Sequence, residues 1–246
     1  MSLGQCMEIA DVFAQALGDV AGGRVLDVAT GEGGFIGILQ EHLQSYAEIV
    51  GLDASRRALE TTQSNVDRQD VHLFQMDAGR LGFADESFDT VTVSASLHHL
   101  ADVPGVLAEM VRLLRPGGHL VVAEMHSSGQ SEPQRTVIEA HHWIADVDLA
   151  RGIGHYPTLA RQEIVDRVQA LNLSQVACFD WSDTGSDPMD EETILPLEGV
   201  IDRYLQRAGG LVNDKALERR GQALRWRLRE VGVQREPVLV VVGKKR

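Results

Sequence analysis

Short apolar runs alternate with segments of helical periodicity over the first half of the chain. Apolar residues recur at helical spacing at Val103, Val106, Leu107, Met110 and Leu114. The runs that predict strands are Arg24–Ala29, Glu48–Asp53, Val71–Met76, Phe88–Ser94 and His119–Glu124. Regular alternation of strands and helices predicts a doubly wound α/β fold with a parallel sheet.

The pattern changes in the second half of the chain. Residues 125–157 form an unusually long connection, and long connections in compact domains are usually functional. Two helical patterns at 191–232 precede an apolar run, Pro237–Val242, whose composition predicts a strand covered on both faces. Because no repeat or linker marks a boundary, we predict a single domain over 1–246, in which 125–157 and 191–232 cover the substrate.

Composition and charge narrow the class of protein. The chain of 246 residues is 43% hydrophobic and 24% charged, which is typical of a globular domain. Its net charge of −13 disfavours nucleic acid and anionic membranes as partners, so a small-molecule substrate is expected. Cys6 and Cys178 are too few and too far apart in sequence to suggest a disulfide framework, which favours a reducing, intracellular setting, and no run of about 18 apolar residues predicts membrane insertion. We therefore expect a cytoplasmic protein; no oligomeric state is predicted.

The strongest local signal is the segment 24–35, in which an apolar strand passes through Asp27 into a glycine-rich turn and then a helix. A dinucleotide fingerprint starting at Gly31 and Gly33 would need a third glycine where Ile36 stands, and the Gly-Lys-Ser/Thr of a P-loop is missing. An acid at the end of a strand is a poor neighbour for phosphate but a good one for a cationic amino group. Asp27 therefore favours a cofactor that carries a positive charge.

Two further acids follow the next two strands. Asp53 ends the second strand, where an acid can accept hydrogen bonds from both ribose hydroxyls, and Asp77 ends the third, where an adenine amino group would need an acceptor. Carboxyl ends of parallel strands line one crevice, so adenosine with a cationic tail fits all three acids. Alternatively, the three acids cap helices or stabilise turns.

These segments resemble the class I S-adenosylmethionine-dependent methyltransferases, in the branch that includes ubiquinone and menaquinone biosynthesis enzymes. The resemblance covers roughly residues 20–180. It implies a Rossmann-like seven-stranded sheet with the last strand antiparallel and a helical insertion before that strand. The segments that carry it are Val25–Gly33, Gly51–Ser55, Met76–Ala78, Phe83–Asp89, Ser94–His99 and Leu113–Gly118.

The resemblance also implies roles for individual residues. Asp27 and the backbone of Ala29, Gly31 and Gly33 would hold the methionine part of S-adenosylmethionine. The residues that would bind the adenosine part are Asp53 at the ribose, Ala54 at the adenine face, and Asp77 with Ala78 at the adenine edge. Ala29 replaces a glycine common in the family, and we expect it to be tolerated provided that its φ is negative.

Methyl transfer is expected beside the end of the fourth strand, in the segment that runs from Ser94 to His99. In this family the segment passes beside the sulfonium, so Ser94 is a predicted cofactor contact. Positioning and exclusion of water supply most of the catalysis, and a base is needed only if the acceptor carries a proton. His98 and His99 are the candidate bases, because histidine titrates near neutral pH; alternatively, one ring packs under the cofactor.

The long connection supplies candidate contacts for the methyl acceptor. It leaves the fifth strand at Glu124, and it contains Trp143 and Tyr156, which could form an aromatic wall or simply anchor a lid. Seven of the nine histidines fall between residues 98 and 155, but the ligand spacings of catalytic zinc are missing. We therefore predict substrate contacts and no metal site.

The function predicted from the sequence is methyl transfer to an unidentified small molecule, at an oxygen, nitrogen or carbon atom. No Asp/Asn-Pro-Pro-Tyr/Phe segment follows the fourth strand, which counts against methylation of nucleic-acid bases. A non-catalytic S-adenosylmethionine-binding or regulatory protein with the same fold is the alternative. A nicotinamide oxidoreductase is disfavoured by Ile36 and Asp27.

Overall fold

The computed structural model describes residues 8–66 and 69–246; Cys6 lies outside them. The described chain forms two compact units, each built from separate stretches of sequence. The sheet unit comprises residues 8–124, 162–181 and 239–246, and the helical unit comprises residues 125–161 and 182–238. The single domain over 1–246 stays a prediction.

The strands agree closely with the apolar runs of the sequence. They are β1 (Arg24–Val28), β2 (Glu48–Asp53), β3 (Val71–Gln75), β4 (Phe88–Ser94), β5 (Leu114–Met125), β6 (Ser174–Trp181) and β7 (Val238–Lys244). The α-helices are α1 (Ile9–Leu17), α2 (Gly34–His42), α3 (Arg56–Asn65), α4 (Val103–Leu113), α5 (Glu132–Ala150), α6 (Arg161–Gln169), α7 (Glu191–Ala208) and α8 (Asp214–Val231). A 3-10 turn in the described residues spans Leu97–His99.

The seven strands form one sheet in the order β3-β2-β1-β4-β5-β7-β6. The first five in this order are parallel, and β7 runs antiparallel to both of its neighbours, which confirms the predicted fold. On β1, Asp27 lies opposite Gly51 of β2 on one side and Thr92 of β4 on the other. From β1 the chain builds the sheet in one direction through β2 and β3, and β4 then starts on the other side of β1. The position between β1 and β4 is a topological switch point, and ligands bind beside such points in open α/β sheets.

Local sequence explains where the elements begin. The Ser55 side chain accepts a hydrogen bond from the backbone N–H of Ala58 and caps α3, as its position after β2 predicts. β5 begins five residues before the predicted run, because the Gly117 and Gly118 backbone groups pair with Lys245 after β7. Residues 114–118 therefore belong to β5.

The helical unit contains most of the long connection. Residues 132–150 are α5, which begins with a capping box between Ser131 and Gln134. Its Trp143 is fully buried among apolar residues of α7 and α8, and Gly221 of α8 is needed there because a Cβ would lie 2.6 Å from the indole ring. In the part of the chain that the structure describes, no helix is long and apolar enough to cross a membrane.

Candidate active site

A cavity of about 430 Å³ lies at the carboxyl ends of β1 to β4 in the sheet unit. Of the sequence-predicted residues, those that line it are Ala29, Gly31, Asp53, Ala54, Asp77, Ala78 and His99. The lining residues that the sequence did not predict are Leu52, Met76, Ala95, Ser96 and Leu100. Acids from two successive strand ends therefore share one cavity with the glycine-rich turn.

The glycine-rich turn is shaped by left-handed backbone conformations. Gly31 has φ +55° and Gly33, the residue before α2, has φ +86°, which glycine adopts without steric cost. A Cβ added to Gly31 would meet no atom within 4 Å, so this backbone faces open space. The Gly31 N–H donates to Oδ2 of Asp53 at 2.9 Å, which ties the turn to the end of β2. The open backbone and the neighbouring carboxylate suit a ligand with hydroxyl and amino groups.

The backbone conformation of Ala29 differs from the one expected from the sequence. A negative φ is the condition for Ala29 to be tolerated, but its φ is +55°, in the left-handed region that costs an alanine about 1 to 2 kcal/mol. The tight bend between β1 and Gly31 imposes this conformation, which explains why the family commonly has glycine here. Ala29 nevertheless lines the cavity.

Asp27 is buried within the sheet, with an exposed fraction of 1%. Its two carboxylate oxygens accept hydrogen bonds from the hydroxyls of Thr30 at 2.6 Å and Thr92 at 2.7 Å. Burial raises the pKa of Asp27 to about 6, against the lowering effect of the two threonine hydrogen bonds, and the nearby Asp53 carboxylate raises it further. Neither threonine was predicted from the sequence as a partner of Asp27. For Thr92 the contact depends on the register of β4 against β1.

Asp53 and Asp77 each stabilise a turn and also line the cavity. Asp53 accepts the backbone N–H of Ser55 at 2.7 Å, and Asp77 accepts that of Gly79 at 2.8 Å, so both stabilise turns as the alternative expected. Both also line the cavity, with Ala54 and the buried Ala78. Turn contacts fix the orientation of each carboxylate without removing it from the cavity.

His98 is held away from solvent by Glu124. Its Nδ1 atom lies 3.1 Å from Oε1 of Glu124, while Oε2 of the same carboxylate accepts the backbone N–H groups of Ser96 at 2.9 Å and Leu97 at 2.7 Å. One buried carboxylate thus organises the turn that follows β4. Glu124 was predicted as a substrate contact, and its oxygens are both engaged inside the sheet unit.

His99 has the opposite environment. It is exposed and lines the cavity, and its ring centre lies 4.3 Å from that of His98. Ser94, a predicted cofactor contact, ends β4, and its carbonyl accepts the hydroxyl of Ser96 at 2.7 Å. Ser96 also lines the cavity; it lies within the predicted segment Ser94–His99 but was not singled out as a site residue.

The two aromatic residues predicted as acceptor contacts belong to the helical unit. Trp143 is 0% exposed, and its indole N–H donates to the carbonyl of Leu217 at 2.8 Å, so the ring anchors α5 against α8. Tyr156 is half-buried in the segment after α5. Their contact with an acceptor stays a prediction.

The sheet order, the glycine-rich turn and the acids at successive strand ends are those expected of a class I methyltransferase. Residues 26–122 match the family described as a methyltransferase domain. The chain is also 35% identical over 188 residues to a demethylmenaquinone methyltransferase of Renibacterium salmoninarum, an alignment that covers 74% of this chain and 76% of that protein. The chain therefore belongs to this methyltransferase family. It is an S-adenosylmethionine-dependent methyltransferase.

Solved structures agree with this fold at low sequence identity. The YcgJ protein of Bacillus subtilis has a TM-score of 0.61 and 18% identity, with 96% of this chain and 97% of that chain covered. The phosphoethanolamine N-methyltransferase 2 of Haemonchus contortus, in complex with S-adenosyl-L-methionine, has a TM-score of 0.57 and 16% identity, with 96% and 51% covered. Another curated relative, a ubiquinone/menaquinone biosynthesis C-methyltransferase of Desulfotalea psychrophila, is matched over 49% of its length.

Proposed function

We propose that this methyltransferase acts on a small molecule bound beside the cavity at the carboxyl ends of β1 to β4. The observation that carries the proposal is that Asp53, Asp77 and the open backbone of Gly31 line one cavity, next to an exposed histidine, His99. The relative from Renibacterium salmoninarum is named for a small-molecule acceptor, which supports the same class of substrate.

The polar groups in and around the cavity fit S-adenosylmethionine. The Asp53 carboxylate would accept the ribose hydroxyls, and Asp77 with the backbone of Ala78 would bind the adenine edge. The backbone of Gly31 and the buried Asp27 would face the methionine part, since a carboxylate favours a cationic amino group. When bound, this cofactor supplies an electrophilic methyl group.

His99 is the stronger candidate for the general base. Its side chain is exposed and lines the cavity, so it can reach a proton on an acceptor, whereas His98 is buried against Glu124. We assign His98 a positioning role: with Glu124 it fixes the turn from Ser96 that carries His99. A base of this kind is required only for an acceptor that loses a proton on methylation.

Two measurements, first calorimetry of ligand binding and then turnover, test the proposal. S-adenosylhomocysteine is expected to bind in the micromolar range and NADH is not expected to bind. Turnover would then be measured by mass spectrometry with a panel of small phenols, reduced naphthoquinones and amines. Formation of a methylated product dependent on His99 supports the proposal. Tight binding of S-adenosylhomocysteine without any methylated product, from the panel or from a cell metabolite extract, would overturn the proposal of a small-molecule acceptor.

The substrate-covering role of residues 125–157 and 191–232 belongs to the same proposal. Each segment is additional to a minimal doubly wound sheet, and the first follows directly after Glu124 at the end of β5. Slower hydrogen exchange in both segments on addition of S-adenosylhomocysteine and an acceptor would support this role. Unchanged exchange in both would contradict it.

A further inference from the structure

A group of polar side chains in the helical unit has no part in the proposed cofactor site. α5 carries His141 and Asp148 two helical turns apart, on one face of the helix. The chain then turns back after α5, with the N–H groups of Gly152 and Ile153 bonded to carbonyls near the end of that helix. This return brings His155 against α5.

The two histidines meet through their Nε2 atoms. The Nε2 of His155 lies 3.2 Å from the Nε2 of His141, and the ring planes are inclined at 74°. Two imidazole nitrogens that bind one tetrahedral zinc ion at about 2.0 Å are separated by about 3.3 Å. The observed separation therefore matches a shared metal ion as well as a hydrogen bond between the two nitrogens, and metal titration distinguishes the two.

Asp148 orients His155 for such a role. Its Oδ2 atom lies 2.9 Å from Nδ1 of His155 and accepts the hydroxyl of Tyr204 at 2.9 Å, while Arg207 lies 3.0 Å from Oδ1. A carboxylate at Nδ1 places the proton there and leaves the lone pair on Nε2. Histidines that bind metals are commonly oriented in this way by a carboxylate on the other ring nitrogen.

We propose that His141 and His155 bind a divalent transition-metal ion, such as Zn²⁺, through their Nε2 atoms. Asp148 is the positioning residue of this site, held in turn by Tyr204 and Arg207. Imidazole nitrogens favour zinc, nickel and copper over magnesium or calcium. Water or oxygen atoms of a bound small molecule complete the coordination. This proposal differs from the expectation of no metal site, which was based on the spacing of histidines in the sequence. His141 and His155 meet only because the chain turns back after α5, and such a turn produces no short ligand-spacing motif.

Metal titration of the full chain tests the site. Chelator-treated protein would be titrated with Zn²⁺ by calorimetry and with Co²⁺ by visible absorption. We expect one ion per chain, at least tenfold weaker binding in His141→Ala and in His155→Ala, and about tenfold weaker binding in Asp148→Asn. His142→Ala is the matched control, since the Nε2 of His142 bonds to Thr158, and it should bind as the unaltered protein does.

Two results would overturn the proposal. One is the absence of saturable one-to-one binding, in which case the two histidines share only a proton. The other is unchanged affinity in folded His141→Ala and His155→Ala. Should these variants fail to fold, chemical modification of the unaltered protein decides: Zn²⁺ should slow carbethoxylation of His141 but not that of His72, whose side chain is 51% exposed. Equal rates with and without Zn²⁺ at His141 would count against the site.

Discussion

The Nδ1 atom of His98 lies 3.1 Å from Oε1 of Glu124, and the two side chains are only 4% and 2% exposed. The same carboxylate accepts the backbone N–H groups of Ser96 and Leu97. Through Glu124, β5 thus fixes the turn that follows β4, and His99 at the end of that turn lines the cavity. His98, a predicted base, and Glu124, a predicted substrate contact, therefore both support the turn that carries His99.

Removal of the Glu124 carboxylate should destabilise the protein strongly. Glu124→Ala leaves two backbone N–H groups and one imidazole nitrogen without this acceptor, and each unsatisfied buried group costs about 1 to 3 kcal/mol. We expect a loss of about 3 kcal/mol in the free energy of unfolding, measured by denaturant titration. Glu60→Ala is the control: its exposed pair with Arg56 should contribute less than about 1 kcal/mol. Similar losses in the two variants would refute the supporting role of Glu124.

The two neighbouring histidines should separate activity from stability. His99→Ala is expected to lower kcat about 100-fold for an acceptor that loses a proton, with a change in stability below about 0.5 kcal/mol because the side chain is exposed. His98→Ala should lower the free energy of unfolding by more than about 1 kcal/mol, since it removes a buried partner of Glu124. Steady-state kinetics and denaturant titration on both variants check this. Full activity in His99→Ala would assign the base elsewhere.

The raised pKa of Asp27 has a consequence for stability. Its pKa is about 6 in the folded protein, against about 4 in an unfolded chain, so between these values the folded state binds more protons. Stability from this group is therefore full below pH 4 and falls as pH rises to 6, by about 3 kcal/mol. Asp27→Asn should remove this dependence.

The measurement compares the two proteins without cofactor. The free energy of unfolding of Asp27→Asn, relative to the unaltered protein, should increase by about 3 kcal/mol between pH 4 and pH 7. A difference that does not change with pH would mean that burial does not perturb Asp27. Binding of S-adenosylhomocysteine at pH 7 should nevertheless weaken in the variant, because it lacks the carboxylate that would pair with the amino group.

Asp53 should contribute directly to affinity for the cofactor. Asp53→Ala removes the acceptor for the ribose hydroxyls, and hydrogen bonds to a charged group contribute about 1.5 to 3 kcal/mol each, so the Kd for S-adenosylhomocysteine should rise by tens-fold or more. Ser55→Ala is the control in the same loop: loss of the α3 cap costs about 1 kcal/mol of stability and should leave affinity within about twofold. Equal affinity in a folded Asp53→Ala protein would leave Asp53 with its turn contacts alone.

The sheet and many of the residues that line the cavity were predictable from the sequence. Strand ends are marked by Asp53 and Ser94, and the glycine-rich turn is marked by Gly31 and Gly33, since these are local signals of pattern and turn chemistry. The helix α5 was harder, because its buried positions include polar and small residues that blur the apolar stripe. The capping box that begins at Ser131 was a usable signal for this helix.

Contacts between distant segments could not be predicted. Thr92 reaches Asp27 only because β4 pairs with β1 in one particular register, and His155 reaches His141 only because the chain folds back after α5. Neither the register of β4 against β1 nor the turn after α5 can be read from one sequence. The positive φ of Ala29 is a similar case, since the alanine there conceals a position at which glycine is sterically preferred.

Ala29→Gly should stabilise the protein. An alanine at φ +55° costs about 1 to 2 kcal/mol, and glycine relieves this strain while it adds about 0.4 to 1 kcal/mol of unfolded-state entropy, so the expected net gain has a midpoint of about 0.8 kcal/mol. Ala123→Gly, at a buried position in β5, is the control and should lower stability by about 1 kcal/mol. Affinity for S-adenosylhomocysteine should stay within about twofold in Ala29→Gly, because the backbone course is unchanged. Thermal and denaturant unfolding measure both variants. A loss of stability in Ala29→Gly would mean that packing of the Ala29 methyl group outweighs the strain of its backbone.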